Sequence, residues 1–335
     1  MGLVKRLVGI LVLFISACAA DEIGPQYPGN GEIPLSRDGL WITCEGNFGW
    51  DNGSLSYYDP TTGETFNQVF RTVNGRSLGD VVQHMSLHKG EYFLTINNSN
   101  KIEVIDVQNL AMKRTLGPFD SPRGVYFFEE KGFVTSLWSN DITVIDPETG
   151  EVLGKVNMGG WSEKMIPMGT EVWVQVRNGD PGIMAIEPKD LSSRRIFKSP
   201  HEVLTFSPDD DGGVVIASDK AGKVILYRHS SAGLDSLETQ IPVAIATRMA
   251  SYGGDIFLLN TNLYRIDSKF NLQMQIEGSR WENPYSLWVD DRGIFVADAM
   301  DFVQNGTLYF LSFSGHALDS AELRIIPGFM ATLQP

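Results

Sequence analysis

The chain has 335 residues, 42% of them apolar, and a formal net charge of −14 at neutral pH. So acidic a protein repels phosphate backbones, which excludes nucleic acid as an expected partner. Two cysteines and five dispersed histidines supply no zinc set, and no cofactor is expected.

In chain order, the first segment reads as an export signal. Lys5 and Arg6 precede an apolar run from Leu7 to Ile15, which is too short to remain as a spanning helix. Its end, Ile15-Ser16-Ala17-Cys18, resembles the lipobox of bacterial lipoproteins. That resemblance implies a signal peptide over residues 1–17 and lipidation of Cys18, hence attachment to a membrane through a lipid anchor. Loss of Lys5 and Arg6 leaves 25 of the 27 basic residues against 41 acidic ones, a net charge of −16. Residues 18–38 then form the acylated cysteine and a Gly/Pro-rich, aperiodic tether with a reach of about 25 Å. Asp21 and Glu22 resemble the acidic surface-export signal of some Gram-negative lipoproteins. They imply an outer-membrane location facing the cell exterior.

Residues 39–335 carry one phrase seven times: a short apolar strand, a polar loop, then a second apolar strand ending in a turn. Tyr92–Asp106 and Phe133–Asp146 are clear copies. The equivalent strand ends fall at Asp59, Asp106, Asp146, Glu187, Tyr227, Asp267 and Ser312. A period of about 40–45 residues with several short strands per unit predicts an all-β, seven-bladed β-propeller of four-stranded blades. In the second unit the strands are expected at Val81–His88, Tyr92–Asn97, Ile102–Asp106 and Met112–Leu116. Outer hairpins repeat the formula Asp-Pro-x-Thr-Gly-Glu at Asp59 and Asp146, where proline presets φ and glycine accepts the left-handed turn. The first unit lacks an innermost strand, because Leu40–Cys44 aligns with the second strand of the others. The C-terminal segment from Pro327 to Leu333 is expected to supply it and close the ring.

No catalytic signature is present: no Gly-x-Ser-x-Gly elbow, His-Glu-x-x-His, phosphate loop or dinucleotide fingerprint. His84 and His88 lie on an extended segment, so helical metal-ligand spacing does not apply. Asp209–Gly213 lacks calcium-loop spacing and reads as a hairpin turn. Cys44, in an apolar strand, reads as a buried small hydrophobe.

The loops remain. Those joining second and third strands and those leading into innermost strands share one face. The first set includes Phe48, Trp50, Asn98, Asn100, Trp138, Asn140, Arg177 and Phe302. The second includes Gln83, Arg123, Trp161, Glu163, Lys164, Glu202, Arg248, Trp281 and Tyr285. Aromatic rings interleaved with amides suit a broad flat ligand with polar edges. The candidate contacts are Phe48, Trp50, Gln83, Asn98, Asn100, Trp138, Asn140, Trp161, Arg177, Trp281, Tyr285 and Phe302. The alternative for the loop tryptophans is packing between blades. Trp41, Trp173 and Trp288 lie in strands and read as core.

The opening stretch Gly39–Pro60, with Asn74–Asp80, resembles the YncE-like lipoprotein propellers of gut Bacteroidota, which include surface proteins that capture vitamin B12. The resemblance implies a non-enzymatic surface lipoprotein. It would bind cobalamin or another corrinoid and pass it to a TonB-dependent outer-membrane transporter. Two other readings stand beside it. One is a protein-interaction platform at the cell surface. The other is a calcium-dependent hydrolase similar to lactonase propellers, in which Glu45, Asn97 or Asn98, and Asp298 would converge on an ion.

Overall fold

The computed structural model describes Ile33 and residues 39–332. The expectations for the signal peptide, Cys18 and the tether fall outside these residues. Among the described residues the chain forms seven four-stranded antiparallel sheets arranged as the blades of a propeller. Blade 2 shows the plan: innermost strand Val82–His88, then Glu91–Ile96, Lys101–Asp106 and Met112–Leu116. The other innermost strands, in ring order, are Pro122–Phe128, Ser162–Met168, Glu202–Pro208, Arg248–Tyr252, Pro284–Asp290 and Pro327–Ala331. Each packs against the next, and the last returns to the first.

The ring closes as expected. Pro327–Ala331 pairs antiparallel with Leu40–Cys44, placing Met330 opposite Ile42, and so completes blade 1 with Ser54–Tyr58 and Thr65–Phe66. Among the described residues every blade thus has four strands.

Burial follows position in the blade. Glu91–Ile96 is buried along its whole length, because a second strand is covered on both faces by adjacent blades. Met112–Leu116, at the rim, buries only Leu116. The core lies between blades. Trp41 sits edge-on to Tyr57 at 4.8 Å and to Tyr92 of the next blade at 5.4 Å. Cys44 is free and fully buried, and burial pushes its thiol up to about 11. His84 packs on Tyr126 and Phe329, and desolvation pushes its imidazole down to about 3, so it is neutral packing.

The turn formula works as its residues dictate. The N–H of Asp146 donates to Glu151 O (2.9 Å), Gly150 takes φ +75°, and the Asp146 carboxylate accepts from the N–H groups of Glu148 and Thr149. Asp209–Gly213 is a hairpin turn, with Arg228 bridging Asp209 and Asp211. Two helical pieces were not anticipated: Val69–Asn74, whose Val69 and Phe70 are buried, and the 3-10 turn Gly278–Arg280. Among the described residues no helix is long and apolar enough to cross a membrane.

Glu91 locks blade 2 across its width. Arg114 donates to both of its oxygens (2.9 and 2.6 Å) and also to Pro147 O of the next blade, with Lys113 alongside. These cations hold the Glu91 carboxyl down at about 2, against an ordinary 4.5. Its contribution is therefore complete above pH 4.5 and fades as the pH falls toward 2. In urea melts between pH 6 and 2, Glu91→Gln should start less stable and lose less of its stability on acidification than the unaltered protein.

Candidate functional site

One face of the ring carries the loops between second and third strands and those entering the innermost strands. Among the described residues, the five most exposed large apolar side chains all lie there. They are Ile245 at 77%, Trp50 and Trp138 at 75%, Phe48 at 74% and Val303 at 66%. Large apolar side chains exposed together on one face mark a candidate interaction surface.

The loops holding these side chains are tied down. Asn47 Nδ2 donates to Phe302 O on blade 7 (3.1 Å), and Gly49, at φ +83°, donates its N–H to Asp80 Oδ2 on blade 2 (2.8 Å). Phe48 and Trp50 are therefore presented from a loop fixed on both sides. Tyr285 and Phe302 meet edge to face at 5.7 Å, and Arg248 lies over the Tyr285 ring at 5.3 Å.

Inside this rim lies the mouth of an axial cavity of about 850 Å³, walled by the innermost strands of all seven blades. Six of those strands carry a β-bulge near the start: at Gln83, Arg123, Glu163–Lys164, Leu204, Tyr285 and Gly328. A bulge takes one residue out of the ladder and re-aims its side chain. Five of these bulges contribute to the cavity wall, while Tyr285 stands at the rim. Gly328 leaves space that Glu45 fills: a Cβ there would lie 2.6 Å from Glu45 Oε1.

The mouth is a chain of charges. Gln83 Nε2 donates to Glu45 Oε1 (3.0 Å), and Arg123 Nη1 donates to Gln83 Oε1 (2.6 Å). Arg123 also bonds Glu163, which accepts from Arg177 (2.8 Å); Arg177 in turn bonds Glu202 (2.7 Å) and covers the Trp161 ring at 4.9 Å. Withdrawal from water raises the Glu45 carboxyl, outweighing the pull of Arg123. Glu163 is also desolvated, yet Arg123 and Arg177 together hold its carboxyl below the ordinary range. Desolvation, with the nearby charge of Arg248, pushes the Lys164 ammonium down to about 8.

The predicted contacts divide accordingly. Phe48, Trp50 and Trp138 are presented to solvent, and Asn140 is exposed beside them in sequence. Gln83, Arg177 and Trp161 belong to the axial network. Asn98 bonds Asp80, and Asn100, at φ +55°, accepts from the N–H of Ser121, so both shape the loops. Trp281 is a correction: it is 7% exposed, packs among Leu259, Leu287 and Val296, and donates to Thr261 O (2.7 Å). It lies in a loop of this face but is packed between blades rather than presented to solvent. Trp288, read as core, is half-buried and faces the cavity. Arg123, Lys164 and Arg248, assigned to loops, stand on strands at the mouth.

The residues of the ion reading all have other hydrogen-bond partners. Asp298 is fully buried and accepts from the backbone N–H groups of Glu282, Asn283 and Met300. Asn97 donates to Pro122 O (3.0 Å), and Glu45 is bonded to Gln83. Among the described residues, no three His, Cys, Asp or Glu side chains are grouped to hold a metal.

Residues 38–257 match a family model described as a domain of unknown function, DUF5074. A comparison with curated proteins finds no match. Among solved structures, the chain is similar to a quinonprotein alcohol dehydrogenase-like protein from Bacteroides thetaiotaomicron. The identity is 14% and the TM-score 0.65, over 88% of this chain and 78% of that one. It is also similar to a candidate 6-phosphogluconolactonase from Bacteroides fragilis, at 11% identity and TM-score 0.66, over 89% and 99%. Virginiamycin B lyase from Staphylococcus aureus aligns at 15% identity and TM-score 0.57, over 79% and 93%. At such identities the likeness is one of fold.

Proposed function

The chain belongs to the DUF5074 family, and on that premise we propose that it is a non-enzymatic capture protein whose loop face binds a broad, flat ligand fringed with amides. A cobalamin or related corrinoid is the ligand class, and a TonB-dependent transporter is the recipient. The opening motif's likeness to the YncE-like lipoprotein propellers supports this class. The lipobox-like Ile15–Cys18 supports a lipid anchor at the outer membrane, with the loop face available outside the cell.

The observation that carries the reading is the solvent-presented set Phe48, Trp50 and Trp138, ranged on the face around a charged axial mouth. Rings cover the apolar faces of a macrocycle; amides and guanidiniums meet its edge groups. Titrating the purified protein with cyanocobalamin and cobinamide by calorimetry tests it. One-to-one binding is expected, weakened at least tenfold, or about 1.4 kcal/mol, by Trp50→Ala or Trp138→Ala. No heat at micromolar protein would remove the corrinoid.

A second reading is favoured by Ile245 and Val303, aliphatic side chains exposed on the same face as the aromatics. On this reading the face is a platform for another surface protein, with the aromatics as anchors. Stable co-purification of a partner with no bound small molecule would favour it.

A further inference from the structure

The axial cavity has a chemistry of its own. Its wall carries three cations, Arg123, Lys164 and Arg248, against one carboxylate, Glu163. That local excess of positive charge sits in a chain whose net charge is −14. Glu163 is already committed to Arg123 and Arg177. Arg248 and Lys164 have no carboxylate within ion-pair distance among the described residues. Arg248 donates only weakly to the neighbouring Thr247 O (3.4 Å), and Lys164 donates to Met249 O (3.2 Å). Each also lies against a ring: Arg248 over Tyr285 and Lys164 over Phe206 at 5.8 Å.

Two cations partly withdrawn from water, with the Glu45 and Glu163 carboxylates attracting Arg248 only from beyond ion-pair distance, are costly, and an anion placed between them would recover that cost. Farther along the same strands the wall carries apolar side chains, among them Phe127, Ile166 and Trp288. A volume of about 850 Å³ lies within the usual range for small-molecule sites. We propose that the axial cavity is a binding site for an organic monoanion, a carboxylate or sulfonate bearing an apolar body. The acid group sits against Arg248 and Lys164 and the body lies down the axis. This site is separate from the solvent-presented rings of the loop face and does not rest on the corrinoid reading.

Decanoate, decanol and acetate separate the two halves of the claim when titrated into the protein by calorimetry. Decanoate should bind one-to-one, at least tenfold more tightly than decanol, which lacks the charge, or acetate, which lacks the body. Arg248→Gln and Lys164→Met should each weaken decanoate about tenfold and leave decanol unchanged. Arg248→Lys, which keeps the charge, should restore much of the loss, and so separates a charge effect from a folding defect. Trp50→Ala should change nothing, which keeps this site distinct from loop-face capture. Equal affinity for decanoate and decanol, full decanoate binding by Arg248→Gln, or no binding at millimolar decanoate would each overturn the proposal.

Discussion

Deleting residues 327–335 is expected to abolish cooperative unfolding. The loss includes the ladder between Pro327–Ala331 and Leu40–Cys44, and with it the buried side chains of Met330 and Ala331 and the packing of Phe329. Burying a Met or Phe side chain contributes about 1.5–3 kcal/mol, and each ladder hydrogen bond about 1 kcal/mol net. Together that approaches the whole margin of about 5–15 kcal/mol by which a domain is stable. The deletion also turns Leu40–Cys44 into a bare apolar edge facing the axis, so the product should aggregate. Scanning calorimetry with light scattering reads both effects. Met330→Ala keeps the ladder and should cost about 2–5 kcal/mol. A truncated chain that melts like the intact one would mean the ring does not depend on its last strand.

The second large effect separates two tryptophans that look alike in sequence. Trp281→Ala should destabilise the protein by about 3–5 kcal/mol, because it opens a void between blades 6 and 7. It also removes the donor to Thr261 O. Trp138→Ala, at 75% exposure, should change stability by no more than about 0.5 kcal/mol. Denaturant melts of the two variants check this directly. If Trp138→Ala proved as destabilising as Trp281→Ala, the loop face would be packing surface, and the capture reading would lose its anchors.

The blade count, the strands of blade 2 and the closure by the C-terminal strand were all legible. They follow from apolar alternation punctuated by Gly and Asp-Pro turns, which local sequence reports well. The direction of a loop side chain was not legible. Trp281 is turned inward by the 3-10 turn Gly278–Arg280, itself held by the N–H of Gly278 on Asn262 Oδ1 (2.7 Å). Nothing in the run from Trp281 to Tyr285 announces that torsion. The axial ring was missed for a related reason. Arg123, Lys164 and Arg248 read as loop residues, because each stands at the head of an innermost strand, next to the connection that leads into it. A bulge adds one residue without breaking the strand, so it leaves only a one-position slip in alternation. The available signal was recurrence: a residue of variable character at the same point in successive units, as in Val82-Gln83-His84, Pro122-Arg123-Gly124 and Pro284-Tyr285-Ser286.

Those bulges have a bearing on how such a protein can change over generations. The side chain at each bulge takes no place in the cross-strand pairing that holds its blade together. Gln, Arg, Leu, Tyr and even Gly occupy equivalent positions around one ring. A substitution there alters what the axis offers while the sheet behind it stays as it was. The mouth is thus a set of positions, bonded to one another, that can change together without disturbing the pairing of the blades behind them, so descendants of this chain can acquire new preferences without first relearning how to fold.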